Sequence, residues 1–216
     1  MAAATVYVVA AGRTDGPARG GLTLALLVVI GLTARGSAMT LGDLGARSDR
    51  LRSGLRWGGA AGAGVVALTA LAALLPGTRA FFVDDRVAST SAAEVAFEAL
   101  VRIPIATALF EEVLFRGALL GLLLRQLRPD AAVGLSAALF GIWHVLSAAG
   151  FADANAGVPD GRAGTLLVVP VTVLVTGAGG ALLAWVRIRS GSLAAPVIVH
   201  AAINSCALVA AWFVSG

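Results

Sequence analysis

Three groups of residues in this chain have the types and spacing to do chemistry together: Glu111-Glu112-Val113-Leu114-Phe115-Arg116, then Phe140 with His144, then His200 with Asn204. His144 and His200 are its only histidines, and all three groups lie in long apolar runs. One ionisable side chain near the middle of a bilayer costs roughly 2.5 to 3.5 kcal/mol on insertion scales, so such groups face a bundle interior and pair there. Glu112 and Arg116 are four residues apart, which sets them on one helix face at salt-bridge distance. Glu111 lies about 100° further around the helix and lacks that helical partner. One carboxylate is thus neutralised locally while its neighbour stays available. A desolvated carboxylate beside another suits general acid or base work near neutral pH. His200 and Asn204, again four apart, present an imidazole and an amide to one point, a donor pair suited to the oxyanion of a tetrahedral intermediate. The same pair serves equally well as polar glue between helices. Phe140 and His144 share a face by the same spacing, and a lone histidine in an apolar helix is as readily an interhelical donor as a catalyst.

The elements that must hold these groups are membrane helices. Hydrophobic residues make up 58% of the chain and charged residues 13%, and the mean hydropathy is +0.90. This is far more apolar than a soluble globular domain. The apolar runs approach the roughly 20 residues an α-helix needs to cross a hydrocarbon core, and the two-residue alternation of a membrane barrel is missing. The expected fold is therefore all-α, a polytopic transmembrane helical bundle of six to seven spans. Apolar spans fall near 20 to 34, 58 to 76, 94 to 125, 131 to 149, 163 to 186 and 191 to 214. The first is short, preceded by apolar Ala2 to Ala11 and the breaker-rich stretch Gly12 to Gly20, with no basic segment in front as a cleaved secretory signal requires. Residues 1–92 read as N-terminal spans with an interfacial basic loop, and 93–216 as the core that carries the chemistry.

The net charge is +4 and every basic residue is arginine, as expected of a GC-rich genome. The arginines are scattered through loops with no aromatic-studded basic face, so nucleic acid is not an expected partner. They orient the bundle instead. Arg35, Arg47, Arg50, Arg52 and Arg56 mark one cytoplasmic segment, and alternate crossing puts Arg125, Arg128, Arg187 and Arg189 on that side too. Six spans then place both termini outside, with Arg13 and Arg19 against the trend. The longest polar stretches are short loops with turn-forming residues, such as Asp153 to Gly164, and none makes a soluble catalytic module. Small residues spaced as Gly58 to Gly62 and Gly117 to Gly121 let helix backbones approach closely. Glu94 and Glu98 open the third span and suit a helix N-terminus. Cys206, the single cysteine, excludes an intrachain disulfide and reads as a small buried residue.

Taken in order, the glutamate pair with Phe115 and Arg116, Phe140 with His144, and His200 with Asn204 resemble the motifs of the CPBP family of intramembrane proteases. That family includes the type II CAAX prenyl endopeptidases and bacteriocin-processing and bacteriocin-immunity proteins. The resemblance covers about 94 to 214, and Met39-Thr40-Leu41-Gly42-Asp43-Leu44-Gly45 is similar to an interfacial stretch common in bacterial members. It implies peptide-bond hydrolysis inside the membrane. Glu111, assisted by His144, would activate the attacking water; His200 and Asn204 would hold the oxyanion; Glu112 and Arg116 would fix the helix and tune Glu111; and Phe115 and Phe140 would support them. The scheme needs no metal. A zinc version on Glu111, His144 and His200 is the alternative, although the local two-histidine helix motif that preassembles most such sites is missing.

Competing chemistries have less to stand on. Every aspartate lies in a loop, which removes a membrane aspartyl pair, and Ser136 in Gly134-Leu135-Ser136 has no evident oxyanion loop. Ser136, Ser147 and Ser205 read as packing. A non-catalytic immunity or scaffold protein using the same pocket is the main reading of another class. A transporter would be expected to show repeat symmetry, and none is found. The expected substrate is a membrane-embedded or lipophilic peptide or protein, and the expected location a bacterial inner membrane.

Overall fold

The computed structural model describes Val28 and residues 31–145 and 162–216. Most of the expected first span, Ser147, and the loop from Asp153 to residue 161 lie outside the described residues. Those described form helices and no strands. A short α1 (Leu41–Leu44) leads into α2 (Leu51–Leu74), and a long helical run, α3 (residues 92–124), follows after brief turns at Pro76–Arg79 and Asp85–Ala88. Then come α4 (Pro129–Trp143), α5 (Arg162–Ser190) and α6 (Ala194–Ser215).

The chain is an integral membrane protein. Leu41–Leu74, Val168–Ser190 and Ala194–Ser215 are long and apolar enough to cross a bilayer, and large apolar side chains such as Leu68, Leu74 and Leu174 face outward from them. The six expected spans are not all found as such helices. In the fourth, expected over 131 to 149, a 15-residue helix breaks after Trp143, and residues 146–149 lie outside the described residues. The polar loop is shorter than expected too, because residues 162–164 already belong to α5.

Local sequence explains where α3 starts and why it is irregular. Ser91 caps it, its hydroxyl accepting from the Glu94 backbone while the Glu94 carboxylate accepts from Ser91. This capping box gives Glu94 the structural role its position predicts. Glu98 pairs with Arg102 one turn on. Hydrogen bonding then widens to the π-helical pattern over Glu98–Leu109 and Val113–Leu119, on either side of one α-helical turn, Phe110–Glu112. Pro104, which has no N–H to give, sits inside the first wide stretch. Insertions of this kind are frequent at functional sites, and the glutamate pair lies in the turn between them.

Close packing rests on glycine. Gly54, Gly58 and Gly62 form the buried stripe of α2. A Cβ on Gly58 would lie 3.0 Å from the Ile198 side chain and 3.1 Å from the Ala195 backbone on α6. Replacing Gly58 with leucine is expected to lower stability by about 1–3 kcal/mol through overpacking, read as a fall in thermal unfolding temperature in detergent. An unchanged temperature would mean that α2 and α6 separate freely. The second expected spacing works differently. A Cβ on Gly121 would lie 2.6 Å from the Asp43 carbonyl oxygen, so Gly121 admits the backbone of α1 rather than a neighbouring long helix.

The segment around α1 gathers the arginine-bearing loops at one end of the bundle. Arg187 donates to the Gly42 and Asp43 carbonyls at 3.3 and 3.0 Å, at the end of the short helix. Gly45 takes a left-handed φ of 68° at that cap, and its carbonyl accepts from the Leu193 N–H at 2.8 Å. Arg125 reaches the Ser37 carbonyl at 2.8 Å. The opposite end is closed by Trp212 donating to the Thr90 carbonyl and Ser215 accepting from the Asp84 N–H. Between the ends lie two apolar clusters, one of Val95, Ile103, Leu208 and their neighbours and one of Leu120, Ala132 and Ala184. The polar residues of α3 and α6 sit in the interval that separates them.

Candidate active site

Glu112 and Arg116 lie in that interval with no solvent exposure. The Arg116 guanidinium donates to Glu112 Oε1 at 2.8 Å, as the spacing predicts, and also to the Gly180 carbonyl of α5 at 3.1 Å. Its carbon stands 4.0 Å over the Phe140 ring, a cation–π contact that stabilises a charge removed from water. Glu112 has a second partner that the helical spacing does not reveal: His200 Nδ1 donates to the same Oε1 at 2.8 Å. The carboxylate joins α3 to α6 as well as to its own helix.

Glu111 points the other way, toward both imidazoles. Its Oε2 is 3.9 Å from His144 Nε2 and 3.8 Å from His200 Nε2. That oxygen is buried and has no hydrogen-bond partner among the described residues. Its Oε1 accepts from the Trp143 indole N–H at 3.3 Å.

The early end of α4 places His144. His144 is the residue that ends the helix, and its Nδ1 lies 2.8 Å from the Phe140 carbonyl, one of the acceptors a helix terminus leaves without a backbone donor. A carbonyl only accepts, so Nδ1 carries a proton, which leaves Nε2 as the nitrogen that faces Glu111. His200 also carries a proton on Nδ1, which is held by the acceptor-only carboxylate of Glu112. Phe140 braces both rings, its centroid 4.6 Å from that of His144 and 5.9 Å from that of His200. Phe115 stacks edge-on against Phe140 at 5.0 Å.

The structure therefore brings together Glu111, Glu112, Phe115, Arg116, Phe140, His144 and His200. Asn204 sits one turn beyond His200 on α6, half-buried. Ser136 and Ser205 are tied into packing, donating to the Phe115 and Ala99 carbonyls. Cys206 is a half-buried free thiol rather than a buried one.

Two participants escape the sequence reading. Trp143 precedes His144 but sits on a different part of the helix, so spacing does not connect it to Glu111. Gly180 belongs to a run of small residues, Gly177-Ala178-Gly179-Gly180, that reads as generic packing. A Cβ there would lie 3.0 Å from Phe140 and 3.2 Å from the Arg116 guanidinium. Only a bare backbone lets α5 approach closely enough to offer Arg116 its carbonyl.

The zinc alternative turns on Glu111, His144 and His200. Among the described residues no three histidine, cysteine or acidic side chains are grouped to hold a metal ion. Donors bound to one tetrahedral zinc at about 2.0–2.1 Å stand about 3.4 Å apart, and Glu111 Oε2 stands 3.9 and 3.8 Å from His144 Nε2 and His200 Nε2.

Comparison with known proteins gives one result that bears on this site. The family model for Type II CAAX prenyl endopeptidase Rce1-like proteins matches residues 93–206, more than half of the chain and the whole of the glutamate, histidine and asparagine array. No curated protein and no solved structure shows a match.

Proposed function

Because the chain belongs to the Rce1-like family of type II CAAX prenyl endopeptidases, we propose that it is an intramembrane endopeptidase that hydrolyses a peptide bond of a membrane-embedded or lipophilic substrate. The observation that carries this reading is the orphaned, buried Oε2 of Glu111 facing two imidazole nitrogens. A carboxylate oxygen and an imidazole lone pair, both acceptors, suit a water molecule that donates a proton to each side. Glu111 removes one proton as the water oxygen attacks the scissile carbonyl, and His144 Nε2 orients the other. The carbonyl oxygen becomes an oxyanion. As the carbon–nitrogen bond breaks, Glu111 returns the proton to the leaving amine.

His200 and Asn204 take the oxyanion. The charge sequence supports this role for His200. Arg116, Glu112, His200 and Glu111 follow one another through contacts of 2.8, 2.8 and 3.8 Å. With both nitrogens of His200 protonated, the row holds two cations and two anions and its net charge is zero. Burial favours such neutrality, and a doubly protonated His200 offers an Nε2–H to the developing negative charge. Glu112 thus orients His200 and supports its charge, beyond bracing the helix. No step runs through a metal.

The test is to reconstitute the protein in lipid vesicles with a membrane-peptide extract and quantify newly formed peptide termini against a Glu111→Gln control. New termini confined to the wild-type protein, and persisting after dialysis against a chelator, are expected. Identical termini in both samples would overturn the protease reading. Termini lost on chelation and restored by zinc would overturn the metal-free scheme.

A further inference from the structure

We infer that Trp143 is a positioning residue for Glu111, fixing which carboxylate oxygen handles protons; the inference rests on the proposed role of Glu111 as the base. Trp143 Nε1 donates to Glu111 Oε1 at 3.3 Å. Indole N–H is a donor only, and an ionised carboxylate is an acceptor only, so this pairing has a single sense. With Oε1 engaged, Oε2 is the oxygen left to face the His144 and His200 nitrogens.

The consequence is chemical as well as geometric. A proton arriving on Glu111 favours Oε2, since the indole N–H already draws on the lone pairs of Oε1 and makes it the less basic oxygen. The same Oε2 lies within 3.9 Å of both ring nitrogens, so the proton is collected beside the groups that orient water and oxyanion. Without the indole, the carboxylate is free to rotate and exchange its two oxygens.

The ring is set for this task by its neighbours on α3. Phe115 meets it edge-on with centroids 5.9 Å apart, and Phe110 lies at 6.5 Å in a tilted pair. These two flank the glutamate pair in sequence, so one stretch of α3 supplies both the carboxylate and the aromatic bracket for its donor. Trp143 remains 43% exposed on its other side. Its place at the end of α4 matters too: the helix termination that turns His144 toward Glu111 also ends on Trp143.

The test compares wild type, Trp143→Phe and Glu111→Gln as full-length protein in lipid vesicles, on a peptide cleaved by the wild type. A fourth protein carries benzothienylalanine at position 143, which keeps the ring shape and replaces N–H with sulfur, in case phenylalanine disturbs folding. Loss of a hydrogen bond to a charged group is expected to lower kcat by about tenfold or more, with KM unchanged in both position-143 variants. Such a split marks an interaction needed at the transition state and not for binding. Wild-type kcat in the benzothienylalanine protein, whatever its KM, would overturn the inference. Wild-type turnover in Glu111→Gln would instead overturn the role of Glu111 itself, so the two failures are distinguishable.

Discussion

Arg116→Met is expected to destabilise the folded protein by about 3–5 kcal/mol, the usual cost of breaking a fully buried ion pair by removing one partner. The variant strands Glu112, which has no solvent exposure, leaves the Gly180 carbonyl without its donor and removes the cation above Phe140. Glu112→Gln alone should be costly for the mirror reason, because it leaves a buried guanidinium without its anion. The informative protein is the double variant. Methionine and glutamine together remove both charges while glutamine retains an acceptor for His200 Nδ1. The double variant is expected to be about 2 kcal/mol more stable than the sum of the two single losses, a coupling of the size found for contacting buried groups. Chemical unfolding in mixed micelles measures all four proteins. Additive losses would show that the two side chains are stabilised independently, and the four-charge row would lose its physical basis.

The row also shows how far a sequence can be read. Glu112 with Arg116 was legible because a helix relates residues four apart, and the structure has that pair at 2.8 Å. The bond from His200 to Glu112 was not, since it joins residues 88 apart in the chain. Helical periodicity says what shares a face and is silent on which faces meet. Nor does periodicity show that both imidazoles approach Glu111 Oε2 at nearly the same distance.

Other differences have equally local causes. Apolar continuity gave no sign of the break after Trp143, where the His144 ring takes the carbonyl of Phe140. Nothing in hydropathy distinguishes a histidine inside a span from one that closes it. The arginine pattern was more informative. Segments bearing Arg35 to Arg56, Arg125 and Arg187 meet at one end, because their side chains satisfy carbonyls around α1. The Gly58 to Gly62 spacing was read correctly as packing, whereas Gly180 needed the structure, since its task is to expose one carbonyl to one guanidinium.

Glu111→Gln is expected to give the largest functional loss, a fall in kcat of about 10² to 10⁴, the range attributed to a positioned general base. Glutamine is nearly isosteric, and its amide oxygen can still accept from Trp143, so folding should be retained. It cannot remove a proton from water. His200 and Asn204 would remain, and residual activity from oxyanion stabilisation alone sets the floor. By contrast, Phe140→Leu should lower activity only as far as the two imidazoles lose their brace.

The most direct measurement is therefore the single-turnover cleavage rate of one peptide, taken from those cut by the wild type in vesicles, with equal amounts of folded wild-type and Glu111→Gln protein. A rate ratio of about 10² or more, with matching unfolding temperatures, is the outcome expected if Glu111 is the base. Equal rates in the two folded proteins would contradict that claim and return the buried carboxylate to a structural role.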